Sequence, residues 1–168
     1  MSDIEVPPAK FRHDGKVWEG QLTRVYDHGV AEVWPMLTQA DKLAQWVAPG
    51  KLDLREGGHV HLDFEDSGIV IDSRITAFKP QKLIQYSWSS GAEPERPLRW
   101  ELTPADDGTR LTLTVRVPES EDIVKAVAGF VGHLEMLAAA LEGVPIKFPL
   151  DHYLEARKVY TDLKKKAG

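Results

Sequence analysis

The chain has 168 residues and a formal net charge of −5, which suits one domain with room for a core and a cavity and argues against general nucleic-acid binding, whose contacts are basic. It contains no cysteine, so a disulfide framework, thiol catalysis and thiolate metal sites are excluded. The acidic, proline-bearing start MSDIEVPPAK has no signal-peptide pattern and no stretch approaches the roughly 18 apolar residues of a membrane span, so the expected location is the cytoplasm.

Residues 1–15 read as a flexible lead-in. Residues 16–26 (KVWEGQLTRVY) set Val17, Leu22 and Val25 among polar neighbours and predict the first strand. After the turn at His28-Gly29, residues 30–37 and 39–47 predict two short helices, with Thr38 as the cap of the second and a break at Ala48-Pro49-Gly50. Strand-like runs then follow at 51–55, 59–65, 68–78 and 82–89, and two more around Leu98-Trp100-Leu102 and Leu111-Leu113-Val115-Val117. Turn signals separate them, Asp66-Ser67-Gly68 and Asp106-Asp107-Gly108 being of hairpin type.

Residues 119–142 predict one long helix. Ile123, Val127, Phe130, Leu134, Leu137 and Leu141 recur at steps of three and four and form a single apolar stripe. Ser120 is placed to cap its start, and Gly143 and Pro145 supply the stop. Interior Gly129 and Gly132 each cost up to about 1 kcal/mol relative to alanine, which requires either close packing or a bend there. A strand, two helices, a meander of strands and a long one-sided helix define an α+β fold: a curved antiparallel sheet wrapped around the long C-terminal helix, the helix-grip arrangement. Residues 143–168 predict an appended helix opened by Pro149, with Leu150, Tyr153, Leu154, Tyr160 and Leu163 on its buried side. It either packs on the domain or pairs with a second copy in a homodimer.

Several marks in this order resemble the START-like (SRPBCC) superfamily and, within it, the heat-shock-protein-90 ATPase activator-like family. They are Ala31-Glu32-Val33-Trp34, Leu43-Ala44-Gln45-Trp46, the Arg55-Glu56-Gly57-Gly58 corner, residues 78–84 (FKPQKLI) leading to Tyr86-Ser87-Trp88, and residues 107–111 (DGTRL) before the last strand. The resemblance covers roughly residues 16–142. Many members carry a Gly-Trp pair early in the long helix; here that place holds Gly132-His133. The resemblance implies a cavity between sheet and helix that takes a small hydrophobic or amphipathic molecule; no cofactor is expected. It also implies two alternatives: a co-chaperone-like domain that binds a chaperone partner, or a small cyclase-like enzyme using the same cavity. The chaperone reading needs an exposed apolar patch, and the sequence shows no obvious one.

The candidate cavity residues are Trp46, Phe64, Tyr86, Trp88, Trp100 and Phe130 as large rigid surfaces, and Leu134 and Leu137 from the helix stripe. Ser73, on the apolar face of its strand, and His133, on the shoulder of the stripe, are the candidate polar groups. His59, His61 and Asp63 share one strand face in a spacing that can hold a divalent metal. Their neighbours Val60, Leu62 and Phe64 claim the inward side, so no metal is expected there. Asp72 and Arg74 face outward by the same parity. No G-x-S-x-G elbow, H-E-x-x-H zinc helix or phosphate-binding loop occurs, and no catalytic residue is assigned.

Overall fold

The computed structural model describes residues 4–65 and 67–167. In chain order the elements are β1 (Ala9–Asp14), β2 (Val17–Tyr26), α1 (Val30–Thr38), α2 (Ala40–Leu43), β3 (Gly50–Leu52), β4 (His59–Phe64), β5 (Ile69–Lys79), β6 (Leu83–Ser87), β7 (Pro97–Ala105), β8 (Gly108–Pro118), α3 (Ile123–Leu141) and α4 (Leu150–Ala167). All strand pairs are antiparallel, in the order β1-β2-β8-β7-β6-β5-β4-β3. The six strands from β3 to β8 form the expected meander. The stretch assigned to a flexible lead-in instead holds β1, paired along its length with β2.

Sheet curvature comes from β5. Its first half pairs with β4 and its second half with β6, and a register shift between Ile75 and Ala77 marks the bend, as a bulge sharpens local twist. The concave face so formed receives α3, whose Ile123, Val127, Phe130, Leu134 and Leu137 are all buried. Full burial of each such side chain contributes about 1.5–3 kcal/mol. Close approach depends on Gly20 of β2, where an added Cβ would stand 2.5 Å from Val127 Cγ2. By length and composition α3 passes the test for a membrane span, alone among the described residues and against the sequence expectation; its apolar stripe faces the sheet. The fold is the helix-grip arrangement.

Several local expectations are corrected. Asp122, not Ser120, caps α3, its Oδ1 accepting the Lys125 N–H at 3.1 Å. Thr38 caps nothing; its Oγ1 donates back to Trp34 O at 3.0 Å. In β2 it is Tyr26 that points inward, while Val25 is exposed. The second helix is a single turn, Ala40–Leu43, continued by turns to residue 47.

α4 packs on the domain. Tyr160 is fully buried, meets Phe11 of β1 edge-on at 5.7 Å and donates its hydroxyl to Pro7 O at 2.6 Å. Lys164 lies over the Trp18 ring at 4.8 Å. Leu150 and Leu154, expected on the buried side, are 59% and 50% exposed.

His28 ties the start of α1 to the end of α3. Its Nδ1 bonds Glu32 at 2.9 Å and its Nε2 bonds Glu142 at 3.1 Å. Both nitrogens donate only in the imidazolium, and the Glu32 bond first, then the Glu142 bond, raises the pKa. A raised folded-state value means the stabilisation is complete below the unfolded value of about 6.5 and disappears as pH rises through the folded one. His28→Gln should therefore lower the urea midpoint near pH 6 and leave it unchanged near pH 9; equal losses at both would show that the charged bridge contributes nothing. Gly20→Ala should destabilise by about 1–3 kcal/mol through overpacking against Val127, measured by the same denaturation.

Candidate functional site

A cavity of about 630 Å³ opens between the N-terminal half of α3, the β4–β5 hairpin and the start of the β6–β7 loop. Its walls are Phe64 from β4, Ile69 from β5, Trp88 just after β6, and Ala126, Gly129, Phe130 and His133 from α3. Glu121, Asp122 and Lys125 line its rim, and Tyr153 of α4 closes one side. The aromatic walls interlock: Phe64 and Trp88 meet edge-on at 5.8 Å, and Trp88 and Phe130 at 5.3 Å.

Of the sequence candidates, Phe64, Trp88, Phe130 and His133 converge on this cavity. Trp46, Tyr86, Trp100, Leu134 and Leu137 do not line it; they pack into the closed core, each at most 3% exposed. There Trp46 and Trp100 meet edge-on at 5.7 Å, and Trp46 Nε1 donates to Met36 O at 2.7 Å. Burial pushes the Tyr86 phenol well above its usual range, opposed by the Trp100 indole. Yet no hydrogen bond of regular geometry satisfies Trp100 Nε1. Ser73 is held within the sheet, donating to Ser87 O at 2.8 Å. His59 is exposed and donates to Asp72, so the outward pair is His59–Asp72, while Arg74 reaches Gly57 O at 3.4 Å. Among the described residues no three potential metal ligands cluster.

Reading the sequence for one helix stripe missed a second. Asp122, Ala126, Gly129 and His133 recur at steps of four, three and four, on the face beside the core stripe, and all line the cavity. The two interior glycines have separate explanations. At Gly132 an added Cβ would meet the Phe148 ring at 2.4 Å, so close packing accounts for it. At Gly129 nothing lies within 4 Å; the position faces open space. Helical spacing puts Tyr153 on the buried face of α4 but carries no link to the site, and nothing in the sequence singles out Ile69.

The rim charges are mostly engaged. Glu121 takes two hydrogen bonds from Arg96, at 2.7 and 3.1 Å, and Asp122 caps α3. His133 is the polar group within the walls. Its Nδ1 bonds Trp46 O at 2.8 Å, and its ring sits among Phe148 at 5.4 Å, Phe64 at 6.2 Å and Phe130 at 6.3 Å. Desolvation among these rings lowers its pKa, outweighing the bond to Trp46 O, which raises it. The imidazole is therefore neutral at pH 7, a uncharged polar spot in an aromatic wall.

An antiparallel sheet gripping a long helix, with a mouth beside that helix, defines the START-like class. The chain belongs to the family described as Activator of Hsp90 ATPase homolog 1-like protein, whose model matches residues 27–142. β1, β2 and α4 lie outside that match. A search of curated proteins finds no match. Among solved structures, CalU16 from Micromonospora echinospora is 23% identical over 94% of this chain and 96% of its own, with a TM-score of 0.77. EF2215 from Enterococcus faecalis, a conserved protein of unknown function, is 21% identical over 92% and 91%, with a TM-score of 0.73. DynU16, described as a protein in the dynemicin biosynthetic locus, is 28% identical over 74% of this chain and 48% of its own, with a TM-score of 0.66. At these identities CalU16 and EF2215 establish the shared fold.

Gly129→Ala should raise thermal stability by up to about 1 kcal/mol, because the new methyl meets no atom, and it should narrow the cavity. A loss of stability would show that the position is not open.

Proposed function

We propose that the protein binds a small amphipathic molecule with an apolar, ring-sized body in the cavity beside α3. The observation that carries this reading is the cavity itself: about 630 Å³, walled by Phe64, Trp88 and Phe130, and floored by a core already closed by Trp46 and Trp100. That volume is in the range of small-molecule sites, which are mostly apolar with few polar groups. Burial of the ligand's apolar surface supplies the affinity at about 25 cal/mol per Å² before the costs of association. Polar groups stand at two levels of the site: at the rim, where Lys125 is exposed while Glu121 is held by Arg96, and within the walls at His133. Membership of the START-like class supports the same reading.

The test is native mass spectrometry of the purified protein with organic extraction, followed by fluorescence titration against fatty acids, naphthols and polycyclic aromatics. Trp88 stands in the wall, so binding should shift the tryptophan emission, and Trp88→Phe should remove most of that shift. Gly129→Leu should fill the cavity and reduce binding by at least about tenfold while the far-ultraviolet circular dichroism is kept. Undiminished binding in that variant would place the ligand elsewhere.

A second reading, a protein-partner domain of the co-chaperone kind, is favoured by one observation. Val144, Ile146, Leu150 and Leu154 are 65%, 42%, 59% and 50% exposed along the α3–α4 connection and the first turns of α4. This apolar strip, absent from the sequence expectation, is a surface that a partner or a second copy would cover. Leu150→Asp with Leu154→Asp should then abolish any self-association or chaperone binding seen by analytical ultracentrifugation, and leave small-molecule binding intact.

A further inference from the structure

The cavity reading leaves open what kind of polar group its ligand carries; the orientation of His133 narrows it. Trp46 O is a carbonyl and can only accept, so the bond of 2.8 Å to His133 Nδ1 requires the proton on Nδ1. In the neutral ring, Nε2 is then a bare lone pair. Nε2 has no hydrogen-bond partner among the described residues. It is also not among the buried unsatisfied atoms, which are Trp100 Nε1 and Arg116 Nε. It is therefore an accessible, unpartnered acceptor on a side chain that lines the cavity.

Resting on the cavity reading, we infer that His133 Nε2 accepts a hydrogen bond from a hydroxyl donor on the ligand, so that the site selects phenol-like or alcohol-bearing aromatics over their ethers, ketones and carboxylates. The surroundings support the choice. A carboxylate or carbonyl oxygen placed there would face a lone pair, and Phe64, Phe130 and Phe148 around the ring offer it no donor. A hydroxyl converts that vacancy into a bond in a low-dielectric wall, where an unmade bond is costly. Desolvation by the same rings keeps the imidazole from protonating and becoming a donor itself. The backbone carbonyl behind it fixes both tautomer and ring plane, so the acceptor is preorganised.

The test compares 2-naphthol with 2-methoxynaphthalene, which share one aromatic body and differ in the donor. At pH 7 the wild-type chain should bind the naphthol about three- to tenfold more tightly, the range of one net hydrogen bond. His133→Asn, whose amide N–H stands near the place of Nδ1 while the Nε2 acceptor is removed, should bring the two affinities together by weakening the naphthol alone. A readout independent of any variant is the imidazole nitrogen spectrum: Nε2 should resonate as a lone-pair nitrogen in the free protein, and should shift on addition of the naphthol but not of the ether. Equal affinities in the wild type, or an Nε2 resonance that does not move, would overturn the assignment of His133 while leaving the cavity reading in place. Failure of both probes to bind would overturn both.

Discussion

The structure depends on one long helix reaching the floor of a curved sheet. A stripe of Ile123, Val127, Phe130, Leu134 and Leu137 is excluded from water only if the sheet curls around it. Two local features make that geometry attainable. The irregularity between Ile75 and Ala77 lets β5 serve both halves of the sheet, and Gly20 lets Val127 seat against the backbone of β2. Once the helix is seated there, its neighbouring face is held at a fixed height above the β4–β5 hairpin. That face is built from Ala126, Gly129 and His133, too small to fill the space. The cavity is thus a packing consequence: the same helix presents large residues where the sheet is close and small ones where it diverges.

The aromatic residues divide along this line. Trp46, Tyr86 and Trp100 sit deep, where their volume closes the core; Trp46 Nε1 finds a carbonyl and Trp100 Nε1 remains unpaired. Phe64, Trp88 and Phe130 sit at the diverging end and present ring faces and edges to open space. His133 marks the boundary between the two groups, its Nδ1 bonded to the backbone of Trp46 and its ring among the phenyl groups of the mouth. One carbonyl in the floor therefore sets the chemistry of the wall above it.

Much of this was legible in the residues. Period-two alternation assigned the inward faces of β4, β7 and β8, and helical spacing identified the buried stripe of α3. Four of the ten candidate residues line the cavity for the same reason: parity and helical phase say which face a side chain takes. They do not say how far along a bent sheet it lies, so Trp100 and Trp88 looked equivalent although one is floor and the other wall. β1 escaped notice because an edge strand over a helix buries little; of its six residues only Ala9 and Phe11 pack against the core. The caps were misplaced through local competition. Residues 119–121 turn back on the end of β8, with Glu121 N–H bonding Pro118 O, so the cap falls at Asp122, two residues later than the first hydroxyl capable of capping the helix. Thr38 satisfies a carbonyl of its own helix instead of opening the next.

Tyr160 ties α4 to the segment before β1, its hydroxyl on Pro7 O across 153 positions. This is also an ordering in time. During synthesis the sheet and α3 can assemble as soon as they have emerged, but the segment before β1 has no α4 to rest on until that later helix is made. Tyr153 arrives with the same helix, so one side of the cavity mouth is set in place only after α4 has docked on the sheet and α3 that precede it.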